Sequence, residues 1–105
     1  MVLLFEKALA CMRHGIQLLE AQRVREARPE LVHASRITEG LLASLKPSVA
    51  PDLCQNLART YIFVFQRLMV ASLKGDVGAA REAERVFQPV AAAFIKAGNQ
   101  VRVAP

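Results

Sequence analysis

Apolar residues recur at steps of three and four along almost the whole chain, and strict two-residue alternation is absent. Val2, Phe5, Leu9, Met12, Ile16 and Leu19 mark a first helix of about five turns, with Leu4, Ala8, Cys11 and Leu18 beside them. The charged stretch Arg23 to Arg28 ends it. Pro29 suits the first position of a second helix, with Glu30 in the first turn. Its stripe is Ala34, Ile37, Leu41 and Leu45, and Gly40 within it suggests a close neighbour. The break at Lys46-Pro47-Ser48-Val49-Ala50-Pro51 starts a third helix, which stops at Gly75; Asp76 then caps a fourth. The fourth helix uses Val77, Ala83, Val86, Phe87, Val90 and Phe94, with a kink expected at Pro89 and an end at Gly98-Asn99. This pattern predicts an all-α protein, an antiparallel four-helix bundle running up-down-up-down. Residues 1–97 form the domain and 98–105 a flexible tail.

The third helix holds the most informative stretch. Its core stripe is Leu53, Leu57, Tyr61, Val64, Leu68 and Ala71, widened by Cys54, Ala58, Phe65 and Met69. Tyr61 to Phe65 alone has the β-branched and aromatic character of a strand, but helical spacing on both sides overrides that. Phe63 and Val70 do not fit the stripe. They fall one above the other on the opposite side, among Asn56, Arg59, Gln66, Arg67 and Lys74, with Ile62 and Leu73 at the edge. An apolar spot on a polar face reads as a surface for a partner, competing with plain exposure, a fold-back of Val101 to Val103, and a homodimer interface.

The 105 residues allow one domain, and a hydrophobic fraction of 53% with 22% charged residues excludes a disordered chain. No apolar run is long enough to span a membrane, and the start lacks the positive leader of a secretory signal. Cys11 and Cys54 read as buried free thiols in a reducing compartment, so the expected location is the cytoplasm. The formal charge of +5 permits an acidic partner. Yet the basic cluster Arg13, Arg23, Arg25, Arg28 and Arg36 is mixed with Glu20, Glu26 and Glu30, and it has no interleaved aromatic residue for base stacking. Nucleic acid is therefore not the expected partner.

Catalytic chemistry is sparse. His14 and His33 are the only imidazoles; Cys11 and His14 share a helical face, and His33 approaches from the next helix, giving three metal donors without a fourth. A di-iron bundle centre needs Glu-x-x-His on facing helices, and none is read here. Gly75 and Gly78 lack the lysine and strand of a phosphate loop, and no serine lies beside a base. No enzyme activity, metal or cofactor is expected.

One family does resemble this chain. Asn56-Leu57-Ala58-Arg59-Thr60-Tyr61 is similar to the Asn-Leu-x-x-x-Tyr opening of the third helix in the FliS family of flagellar export chaperones. Arg67-Leu68-Met69-Val70-Ala71 matches the Arg-Leu-x-x-Ala that follows. Asp76 and the spacing Ile37, Leu41, Leu45 agree as well. The chain departs from the pattern in starting inside the first helix, in Ser48 to Pro51 where paired glycines are usual, in Phe94 where a Trp is usual, and in its basic pI of 9.9. It reads as an N-terminally short or diverged member.

The resemblance implies a cytoplasmic holdase without catalysis, whose client is the disordered C-terminal segment of flagellin. That segment turns helical in apolar grooves, which prevents premature polymerisation, and the complex is handed to the export apparatus. Ile37 and Tyr61 are groove candidates by family position. The residue pattern adds Ile62, Phe63, Val70 and Leu73, with Arg59 and Arg67 at the rim. The protein is expected as a monomer or homodimer. The competing reading is a homodimeric bundle that buries the same patch.

Overall fold

A computed structural model describes residues 2–103, with side chains described through Gly98. Four helices follow one another: α1 (Val2–Glu20), α2 (Val24–Ala43), α3 (Pro51–Lys74) and α4 (Val77–Val103). Each packs on the next and α1 also packs on α4, which closes an antiparallel four-helix bundle. The short α1–α2 and α3–α4 turns lie at one end, where a Cβ added to Gly75 would meet Val24 at 3.3 Å. The longer α2–α3 connection lies at the other end.

The core follows from the stripes. Phe5, Leu9 and Met12 of α1, Leu31 and Leu41 of α2, and Tyr61, Val64 and Leu68 of α3 are buried. α4 contributes Ala79, Ala80, Ala83 and Ala91 around a single large side chain, Phe87. Small residues let α4 lie close to its neighbours, and Phe87 fills the remaining space. Each large side chain buried in this way adds about 1.5–3 kcal/mol. The buried hydroxyls cost little. Ser35 donates to the Val32 carbonyl, Thr38 to Ala34 and Ser72 to Met69, so each is satisfied by its own helix.

Helix ends correct the sequence reading at several points. α2 starts at Val24 rather than Pro29, because the chain has already turned at Gln22. Gln22 has φ +61°, its N–H donates to the Leu19 carbonyl, and the N–H of Arg23 reaches back to Leu18. That is a Schellman closure with glutamine in the usual place of glycine. Pro29 therefore lies inside α2, where the Arg25 carbonyl loses its helical donor. α4 likewise passes Pro89 and Gly98-Asn99 without interruption and continues to Val103. Gly98 lies close against Val2 there, where a Cβ on it would displace the Val2 side chain. Gly40 is the reverse case: nothing lies within 4 Å of its added Cβ, so the close neighbour expected at it is absent. Elsewhere the punctuation is as read. Gly75 adopts φ +65° at the end of α3, and the Asp76 carboxylate accepts the N–H of Ala79 at the start of α4.

Candidate functional site

The residues singled out on α3 separate into three settings. Tyr61 is buried in the core, 2% exposed, with its ring 6.5 Å from that of Phe87. Val70 is partly buried against the core, as is Ile37 on α2. Ile62, Phe63 and Leu73 are exposed, Leu73 at 70%, and so is Arg59. Arg67 is not a free rim cation. Its guanidinium reaches across to Glu82 of α4 at 2.9 Å, while its Nε is buried with no partner. Phe63 and Val70 stand one turn before and after Arg67, so they flank this α3–α4 bridge. Ile62 and Leu73 face away from it. The eight residues are thus spread over the core, the α3–α4 seam and the outer face of α3.

Two concavities lie at the end of the bundle that carries the α2–α3 connection, and another, lined by Ile16, Arg81, Glu84, Arg85 and Gln88, lies on the α1–α4 face. At the α2–α3 end a cavity of about 300 Å³ opens, lined by Phe5, Leu41, Leu45, Leu53, Tyr61 and Phe94 among others. A second, of about 290 Å³, follows the α2–α3 seam past Leu42, Pro47, Pro51 and Ala58. Leu45 and Cys54 border both, so the two are neighbours. The lining is mostly aliphatic and aromatic, with Ser44, Lys46 and Gln55 among it. Phe94 stacks on Phe5 at 4.9 Å, and Phe5 lies 5.8 Å from Phe87, which gives the cavity an aromatic wall. Burial alone pushes the Tyr61 phenol above its ordinary pKa.

This cavity explains two residues assigned to the core. Leu53, in the first turn of α3, is 55% exposed and borders the opening. Phe94, 36% exposed, presents one face to Phe5 and the other to the opening. Of the candidate residues only Tyr61 reaches it. Leu45, Val49, Leu53 and Phe94 line the cavity and are not among the site residues read from the sequence, because a helical wheel does not show where a bundle runs out of neighbours. The available signal was the proline-flanked break at 46–51, with apolar Leu45, Val49 and Leu53 on both sides.

The polar contacts lie elsewhere. Cys11 is buried, and its Sγ is 3.7 Å from Nδ1 of His33. His14 Nδ1 is 3.2 Å from Glu30 Oε2. Burial pushes the Cys11 thiol up and the Glu30 carboxylate adds to the shift, against a smaller opposing pull from Lys7. The sequence reading also misses a spacing: Glu30 and His33 stand three apart and form one Glu-x-x-His. Salt bridges Arg13–Glu84 and Arg81–Glu20 tie α1 to α4. They neutralise part of the basic surface without gathering it. No helix among the described residues is long and apolar enough to cross a membrane.

Two comparisons with known proteins identify the family. A family model described as "Flagellar protein FliS" matches residues 1–101. The chain is also similar to the flagellar secretion chaperone FliS of Escherichia coli (strain K12), 29% identical over 93 residues, which is 88% of this chain and 68% of that protein. A match over nearly the full length, on a four-helix bundle with the helix order read from the sequence, places the chain in the FliS family.

Proposed function

We propose that this protein is a flagellar secretion chaperone that holds the disordered C-terminal segment of flagellin in the cytoplasm until export. The observation that carries this reading is the pair of adjoining apolar cavities at the α2–α3 end, together about as large as a ligand pocket that would hold several apolar side chains. A chaperone for an unfolded segment needs such a surface and needs no catalytic group. Client side chains enter the openings beside Leu45 and Leu53, and the segment gains helicity as it lies along the α2–α3 seam. Ordering that segment costs free energy, so burial must exceed it before affinity appears. Ile62, Phe63 and Leu73 supply a second apolar strip on the outer face of α3, which a long segment wrapping the bundle reaches next. Release at the export apparatus then requires only loss of these contacts.

Calorimetric titration with the C-terminal segment of flagellin from the same organism tests the reading. One-to-one submicromolar binding, a large negative heat-capacity change and a gain in helicity are expected. Absence of binding by a folded monomer overturns flagellin as client. Absence of binding by a stable dimer assigns the apolar surface to self-association.

A further inference from the structure

We propose that Lys46 makes the apolar cavities selective for a client segment that carries an Asp or Glu carboxylate beside its anchoring apolar side chains; this rests on the chaperone reading above. Of the residues that line the first cavity Lys46 alone is charged, and the lining of the second holds no charge. The other polar groups are neutral or already engaged. Ser44 Oγ donates to the Leu41 carbonyl at 2.7 Å, Gln55 carries an uncharged amide, and burial favours the neutral form of the Tyr61 phenol. One cation at the mouth of an otherwise uncharged surface therefore sets which sign of charge can approach it.

Local structure holds the lysine at that mouth. α2 ends at Ala43, and the N–H groups of Ser44 and Leu45 reach back to the carbonyls of Gly40, Leu41 and Leu42. Those carbonyls thus have donors without Lys46, and its ammonium is not needed to cap the helix. The chain then turns, with the Val49 N–H donating to the Lys46 carbonyl at 3.0 Å, and Pro47 restricts the backbone of the residue before it. Lys46 is exposed, and among the described residues no carboxylate pairs with it, whereas Arg13, Arg23, Arg67 and Arg81 each have a glutamate partner. A lysine stem can lie on apolar surface while its ammonium stays in water, so one residue meets both an apolar anchor and a neighbouring carboxylate. On a client that turns helical, that carboxylate stands three or four positions from the anchor.

The formal charge of +5 also draws in acidic segments, but it acts on every orientation alike. Salt screens charges separated by more than about 10 Å at 0.1 M, so the contact at Lys46 is the one that survives to fix the register of the bound segment. An exposed pair contributes little to total affinity, and its effect is selection among registers.

The test is a double-mutant cycle between this chain and the C-terminal segment of flagellin from the same organism, read by calorimetry at about 0.1 M salt. Each Asp and Glu of the segment is changed in turn to Asn or Gln. One change should weaken binding to the parent by about fivefold and leave binding to Lys46→Gln unaltered. Lys46→Glu should weaken the unchanged segment by roughly tenfold, and a lysine at the coupled segment position should recover most of that loss. Arg25→Gln removes the same charge from an exposed position near the other end of the bundle and should bind as the parent does. All three variants should melt with the parent, since both side chains are exposed. Absence of binding by the parent overturns flagellin as client and this proposal with it. Binding in which no carboxylate couples to Lys46, or in which Arg25→Gln loses as much as Lys46→Gln, overturns this proposal alone and leaves the chaperone reading standing.

Discussion

Leu31 of α2 lies against Gly15 of α1 so closely that a β-carbon on Gly15 would stand 2.7 Å from Leu31 Cδ2 and 2.9 Å from its Cγ. Leu31 is fully buried, so its side chain would have to shift within the core. Gly15→Ala should therefore destabilise the bundle by about 1 kcal/mol, since overpacking of 1–3 kcal/mol outweighs a helix-propensity gain of about 1 kcal/mol. Gly40→Ala is the matched control. It meets open space and should stabilise by about 1 kcal/mol. Urea unfolding of the two variants checks the pair, and equal signs would refute the packing argument.

The turn at Gln22 carries a left-handed backbone on a side chain that pays for it. Gln22→Gly should raise stability by about 0.5–1 kcal/mol, seen as a higher Tm. Asp76→Ala should lower it by about 1 kcal/mol, because the N–H of Ala79 loses its acceptor.

Alkaline pH should weaken the fold through Tyr61. Its folded pKa lies above the ordinary phenol value of 10.0, so the neutral form is favoured in the bundle. The unfolded chain ionises first, and the associated stability is complete below pH 10 and lost as pH rises beyond it. Cys11 acts in the same direction above its ordinary 9.0. Tyr61→Phe should flatten the loss above pH 10 in a series of denaturant midpoints, while the part due to Cys11 persists.

The proposed cavity separates from the α3 strip by mutation. Leu53→Ser removes an exposed wall residue and should leave helicity and Tm nearly unchanged while weakening the flagellin segment at least tenfold. Phe63→Ser should have a smaller effect on binding, again with little change in stability. A larger effect from Phe63→Ser would move the principal client contact to the outer face of α3. Cys54, which borders both cavities, serves as a reporter: bound client should slow its reaction with a maleimide.

Four helices, their order and most of the core were legible from periodicity, because burial on one helical face leaves a direct trace in spacing. Tyr61, Val64 and Leu68 were placed correctly on that ground. Pro29 misled, since proline marks a helix start only when nothing earlier turns the chain; Gln22 does so without glycine. Gly98-Asn99 misled similarly, as Gly98 serves contact with Val2 rather than termination. Concavity was not legible. It depends on how far each helix outlasts its neighbours, which fixes whether Leu53 is covered, and no single helix records that. The polar contacts between α1 and α2 were half legible: Cys11 and His14 were seen, but the opposing Glu30 required the packing register.

The two ends of the bundle are built differently. At one end, Gln22, Gly75 and Asp76 close the helices, and Arg28 donates to the Ser72 carbonyl near the end of α3 at 3.0 Å. At the other, Leu53 and Phe94 stand open around a cavity. Breathing motions should therefore be polarised along the long axis, with amides of the first turn of α3 exchanging hydrogen well before those near Ser72. A client that prises the open end apart would then meet an elastic mouth on a rigid hinge, and could be accommodated in varied lengths without melting the molecule that holds it.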